Sequence, residues 1–550
     1  MKSIVILCLG LCLLLTGCPS GETKYPMPDD KGKMVLRVLN GAEAATLDPI
    51  KREGTPGTSM LSNIFEGLVR VNNKTGGYLP GVAERWEISE DGTTYTFFLR
   101  KDAKWSDGKP VTANDFLSTY RRAVDPITQS RNASLYFVIK NARAVLKNEK
   151  KTEELGVFVV DDYTLKIELE SPTGYFMSLL SLVPFYATPK HVIDKHGNAW
   201  TELENIVSNG PFKVVLRRRN DRTEVVKNEN YWGKDEVKLD KIIFFTTDNG
   251  ETRLRMFRAN AADYHVTGLA SSAYPGIKNN PEWVMAPYLG IYYYIFNTKE
   301  APFDNAKVRK AISMAIDREI LAEVLSIGYI PAKFIVPPRT AGYKTAASLE
   351  ENVEKAKQLL KEAGYGEGGK KFPTMTILYN TNENHQKVAI VVSDMLKRNL
   401  GIDVKIENAE WKTYLDRRRH GDYQVARAGW IGDYNDADSF LELMYSESEN
   451  NDTFWKHKKY DELFLKSRKI STPEKRLAVM QEAEKIALDE MPIMPIYFYV
   501  ADTLVKPYVK NFYPSNKKDV EQGFYDLQAR AVFRDAYIDM EEKKKYFGVK

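Results

Sequence analysis

The sequence predicts a mixed α and β fold of several domain-sized units, on three observations. Strand-like stretches of period two alternate along the chain with helix-like stretches of three- and four-residue spacing. No segment beyond the N-terminus approaches the roughly 18 consecutive apolar residues of a membrane span, so the body is expected to be soluble. At 550 residues the chain exceeds what one hydrophobic core supports, and roughly three or four units are expected.

The elements follow in order. Lys2 precedes a nearly continuous apolar run from Ile4 to Leu15, shorter than the about 20 residues a spanning helix needs. It has the proportions of a secretory signal over residues 1–17. Its end, Leu15-Thr16-Gly17-Cys18, resembles the bacterial lipoprotein box, which implies lipid modification of Cys18 and a membrane-anchored, extracytoplasmic protein. Residues 18–33 are polar and rich in Pro, Gly and Asp, as a flexible tether would be. Tyr95 to Leu99 reads as a strand after a turn at Asp91-Gly92, and Leu165, Ile167 and Leu169 alternate with charged residues as in a half-buried strand.

Val308, Ala311, Ile312, Ala315, Ile316, Ile320, Leu321, Val324 and Leu325 recur at helical spacing, with Gly328 as a stop. Val353, Ala356, Leu359, Leu360 and Ala363 repeat the pattern before Gly364. Two tyrosine-rich apolar segments, 288–295 and 493–500, read as buried strands. If both run between lobes, they bracket a region of about 290–500 able to move as a unit.

Composition narrows the chemistry. The three cysteines, Cys8, Cys12 and Cys18, all precede the body, which excludes disulfides, cysteine-ligated metals and a catalytic cysteine there. The net charge of +5 is small for this length and offers no general attraction to nucleic acid. There is no G-x-S-x-G elbow, no H-E-x-x-H helix and no phosphate loop. His191 and His196, five apart, read as a surface pair, and Arg217–Arg219 and Arg417–Arg419, diluted by acidic neighbours, read as solvated faces. The carboxylates Asp433, Asp436 and Asp438 lack the glycine and terminal glutamate of a calcium loop. No enzyme, metal or cofactor is indicated.

The motifs are more specific. Gly81-Val-Ala-Glu-Arg-Trp86 and the run from Tyr95 to Phe116, which includes Trp105-Ser-Asp-Gly-Lys-Pro, resemble the signature of peptide-binding lipoproteins of bacterial ABC importers. Leu378 to His385, Glu410 to Leu415 and Val425-Ala-Arg-Ala-Gly-Trp-Ile-Gly-Asp433 closely resemble the oligopeptide-binding members of that peptide/nickel solute-binding family.

The resemblance implies a periplasmic-binding-protein-like α/β fold, with two lobes hinged by two strands and an additional domain on one lobe. Mapped onto this sequence, lobe I comprises 34–65, 191–289 and 501–550, the extra domain 66–190, and lobe III 290–500. It further implies a monomer that captures short peptides and delivers them to an ABC permease. Asp433 matches the position that pairs with the ligand's α-ammonium, and Arg427 and His385 match positions that meet its carboxylate at different peptide lengths. Glu53 and Thr55 match ligand contacts on the first lobe, and Gly429 a close backbone approach. Trp430, Trp411, Tyr293 and Tyr499 would line side-chain pockets, with core packing the competing reading for each. Asn132 stands where the family often places a ligand-contacting tyrosine, which bears on the lengths and side chains favoured. Two other readings stay open: a different ligand, such as a dipeptide, haem or nickel complex, or a surface lipoprotein serving as a host-contact adhesin or peptide sensor.

Overall fold

The computed structural model describes residues 27–549 apart from 73–76, 267–270, 278, 326–327, 339, 341, 367, 471 and 512–530. The signal-like segment 1–17, Cys18 and residues 18–26 of the tether lie outside the described residues.

Two long antiparallel strands, Trp283–Phe296 and Ile493–Val505, run through the middle of the molecule and contain both tyrosine-rich segments. Their apolar character is nearly continuous because they are covered on both faces. Their pairing shifts register between Pro287 and Ile291, and again between Tyr292 and Tyr293. Beyond one end, Leu504 and Val505 pair with Tyr264–His265, and the sheet continues through Val35–Leu39, Lys241–Phe245, Arg222–Lys227 and Phe212–Arg218. Beyond the other, residues 290–296 pair with Val425–Ile431, and the sheet continues through Met375–Asn380 and Val404–Ala409. The long strands therefore belong to both halves, and their register shifts fall within the stretch that joins them.

Buried apolar residues form two large cores. One gathers mainly residues 289–504, joined by Leu254, Phe257, Tyr274 and Trp283. The other runs from Leu36 to Val266 and takes in Tyr508, Phe533 and Phe547 near the C-terminus. The second core also covers a separate four-stranded antiparallel sheet, in the order Ala83–Ile88, Thr94–Leu99, Thr164–Glu168 and Val157–Asp161. There Leu165 and Ile167 are fully buried, as their period-two spacing predicts. The adjoining helix Ala113–Val124 starts on a capping box of Thr112 and Asp115.

The helical pattern of 308–325 is not one helix. It divides into Ala306–Met314 and Arg318–Leu325. The Asp317 carboxylate accepts from Ile320 N–H at 3.0 Å, starting the second helix. The buried Arg318 guanidinium donates to the carbonyls of Ser313 and Ile316 at the end of the first and to Pro495 on the long strand. Satisfying those carbonyls makes a break here inexpensive. The second predicted helix forms as Val353–Glu362, with Gly364 at a left-handed φ of 88° beyond it.

Candidate functional site between the halves

Antiparallel register builds the first part of the site. Arg427 on Val425–Ile431 lies opposite Tyr294, and Gly429 opposite Tyr292, so these four share one sheet face. Tyr497 stacks on Tyr292 with ring centroids 4.5 Å apart, and Tyr329 stacks on Tyr497 at 4.2 Å. Tyr499 stands edge-on to Tyr292 at 6.2 Å. The Arg427 guanidinium lies over the Tyr292 ring at 4.9 Å, donating from Nη2 to the Tyr499 hydroxyl at 2.9 Å and from Nη1 to Asn380 Oδ1 at 3.3 Å. Among the described residues no carboxylate pairs with it, and its buried Nε finds no acceptor. A permanently charged group is thus held on an aromatic shelf by neutral partners alone. Such a group lowers its free energy when an anion arrives.

Gly429 leaves room beside it for these two side-chain ends, which a larger residue would displace. A Cβ there would sit 2.5 Å from the Tyr499 hydroxyl and 3.0 Å from Arg427 Nη2. His385 lies in the first turn of Glu383–Leu400, capped by Asn382, with its ring 5.5 Å from Tyr292. The residue is partly exposed while its Nδ1 is buried. Burial, and then the Arg427 cation, hold its pKa well below the ordinary 6.5. Its neutral form is thereby favoured over a second cation.

Asp433 follows the strand. Its N–H donates to Ser439 Oγ at 3.0 Å, and its Oδ1 accepts from Arg52 Nη2 at 3.2 Å, a contact that joins the two halves. The neighbouring carboxylates have arginines of their own: Asp436 takes a bidentate pair from Arg476, and the fully buried Asp438 one from Arg468.

Glu53 is the N-cap residue of Gly54–Ile64, and Thr55, partly buried, is in its first turn. Glu53 lies 3.4 Å from Arg419 of the other half and 4.0 Å from Arg131. Asn132 donates from Nδ2 to the carbonyls of Ile50 and Arg52, both at 3.0 Å.

Four expectations part from this geometry. Tyr293 pairs with Ala428, on the sheet face opposite Arg427, and is 3% exposed; Tyr292 holds the place beside Arg427. Trp430 is on that opposite face too, packed on the core with Nε1 3.4 Å from Ser439 Oγ. Trp411 is 42% exposed at the start of Trp411–His420 and stacks on Tyr414. The Arg417–Arg419 triplet is not a solvated face: Arg418 turns inward to Asp452 at 2.6 Å, and Arg419 crosses to Glu53. Helical spacing points the three in different directions, which their count of charges does not reveal.

Further contacts between the halves lie away from the long strands. Tyr175 stacks on Tyr434 at 4.7 Å with the rings 3° from parallel, and Arg143 meets Glu447 at 2.7 Å. Sequence reasoning missed these and Arg52, because each partner is remote in the chain.

Comparison with known proteins gives this geometry its context. The model of the bacterial extracellular solute-binding proteins, family 5, matches residues 77–452. The periplasmic murein peptide-binding protein MppA of Escherichia coli is 39% identical over 501 residues, covering 89% of this chain and 92% of that protein. The structure of Haemophilus influenzae OppA in complex with the peptide RPPGFSPFR is 38% identical and superposes with a TM-score of 0.85, covering 93% of this chain and all of that one. An unliganded open form of MppA, 37% identical and covering 94% of this chain and 99% of that one, reaches only 0.66. The halves are therefore arranged as in the peptide complex rather than as in the open form, which explains the contacts from Arg52 to Asp433 and from Tyr175 to Tyr434. Coverage, identity and architecture agree: this chain, two lobes hinged on two strands with an additional domain, belongs to the bacterial extracellular solute-binding proteins of family 5, a binding family and not an enzyme family.

Proposed function

We propose that this protein captures short peptides between its lobes and delivers them to an ABC permease. The observation that carries this reading is Arg427, a partly buried guanidinium with a buried, unsatisfied Nε and no carboxylate partner among the described residues, on the strand that leads to Asp433. Arg427, or His385 further out, meets the ligand carboxylate, and Asp433 its ammonium. Glu53, Thr55, Gly429 and Tyr499 make the remaining contacts, with Tyr292 taking the place beside Arg427 that was expected of Tyr293. The strand rise of about 3.3 Å per residue separates 427 from 431 by roughly 13 Å, the length of an extended peptide of about three or four residues. Backbone hydrogen bonding to such a ligand would tolerate many side chains.

Lobe I is assigned to 34–65, 191–289 and 501–550, the extra domain to 66–190 and lobe III to 290–500; the two cores and the register shifts near 287–291 support this division. The protein works as a monomer outside the cytoplasm, tethered through lipid on Cys18. No described helix is long and apolar enough to cross a membrane.

Calorimetry on protein stripped of carried ligand by unfolding and refolding tests the reading. Free-ended peptides of two to six residues should include binders. Asp433→Ala should weaken those with a free amine more than their N-acetylated forms. No binding by any free-ended peptide would sink the proposal.

A further inference from the structure

Arg52 stands next to a predicted ligand contact, yet its own side chain reaches across the molecule. Its Nη2 lies 3.2 Å from Asp433 Oδ1, with the two side chains only 17% and 15% exposed. The backbone presenting it is pinned: Asn132 donates to the carbonyls of Ile50 and Arg52, and Ser130 Oγ donates to Ile50 at 2.6 Å. The Asn132 amide is thus spent on positioning this segment. Arg52 Nε is buried and has no acceptor among the described residues. Glu53, next in sequence, is already shared by Arg419 and Arg131 and does not offset Arg52.

A ligand ammonium on Asp433 consequently joins a carboxylate that a fixed guanidinium already claims. With two cations on one carboxylate, the charge on the ligand's first side chain decides the balance. A carboxylate there closes an alternating square of charges and brings Nε an acceptor; an ammonium adds a third cation to a poorly solvated corner. We propose that Arg52 is a specificity-determining residue of the N-terminal subsite, favouring peptides with an acidic first residue and rejecting those with a basic one. This rests on the reading that Asp433 holds the ligand ammonium.

The test is calorimetry of Glu-Ala-Ala, Ala-Ala-Ala and Lys-Ala-Ala against the wild type, Arg52→Leu, Arg52→Lys and Asp433→Asn. The wild type should bind Glu-Ala-Ala at least about tenfold more tightly than Lys-Ala-Ala, with Ala-Ala-Ala between. Arg52→Leu should compress that range to within about threefold, and Arg52→Lys should keep the order. An absent preference in the wild type, or one unchanged in Arg52→Leu, overturns the inference. If Asp433→Asn weakens all three peptides while the Glu-to-Lys ratio survives Arg52→Leu, the inference alone fails. If Asp433→Asn changes nothing, the assignment of the ammonium fails as well. Should Arg52→Leu not fold, the order of the three peptides on the wild type and on Arg52→Lys still decides.

Discussion

Replacing Arg427 by methionine should leave stability nearly unchanged while weakening binding strongly. The guanidinium donates two hydrogen bonds, to Tyr499 and Asn380, and lies over the Tyr292 ring. Two such bonds contribute about 0.5–1.5 kcal/mol each, and the ring contact about 1–2 kcal/mol. Against them stands a desolvation cost of up to several kcal/mol for a partly buried ion with no opposite charge beside it among the described residues. The two sides nearly cancel, so the ligand-free protein should change in stability by no more than about 1 kcal/mol, within about 2–4 °C in Tm for a unit of this size. Methionine is unbranched and fills the stem's volume without a polar atom.

Binding is affected far more. Truncating one partner of a buried charge pair costs about 2–5 kcal/mol, so Kd should rise from about thirtyfold to several-thousandfold for the peptide length whose carboxylate reaches Arg427. The assay pairs thermal unfolding with calorimetry on free-acid and C-amidated alanine tri- and tetrapeptides. Arg427→Met should erase the preference for the free acid. A drop in Tm of several degrees with that preference intact would show that Arg427 is a structural cation, and refute the reasoning.

Two further outcomes are expected. Tyr175→Ala removes the stack on Tyr434, a contact made in this closed arrangement, and aromatic pairs contribute about 0.5–1.5 kcal/mol. Kd should therefore rise about two- to twelvefold through a smaller closed population, with scattering in the absence of ligand showing a more open particle; unchanged affinity and shape would reject this role. Burial, and then the Arg253 cation, hold the fully buried His265 well below the ordinary 6.5. The unfolded chain takes up a proton below about pH 6.5 that the native protein does not. This contribution is complete above about pH 6.5 and is lost on acidification, at up to about 1.4 kcal/mol per pH unit. His265→Gln should flatten the fall in unfolding free energy between pH 6.5 and 5.5, and equal slopes in both proteins would contradict it.

Much was legible in the chain itself. Residues whose meaning is local read well: Leu165 and Ile167 on one strand face, the Gly364 stop, and the buried tyrosine-rich strands each follow from spacing and neighbours. The motif from Val425 to Asp433 placed the protein in its family, because a run of residue types around one strand is itself a local pattern. The pattern could not say which tyrosine faces Arg427. Period two allows either phase of 288–295, and the pairing with 425–431, together with the shift near 292, chooses Tyr292 over Tyr293. Nor could it show that 308–325 breaks, since the break depends on Arg318 finding the Pro495 carbonyl 177 residues away.

The amino-acid order by itself determined the family, many of the elements and the presence of an arginine and an aspartate six residues apart. Only the tertiary structure decided that Arg427 has a buried Nε and no counter-charge among the described residues, and that Asp433 meets Arg52, 381 residues distant in the chain. Burial and closure bring together groups that no local pattern links, and electrostatic energies depend on that proximity and exclusion of water rather than on sequence distance.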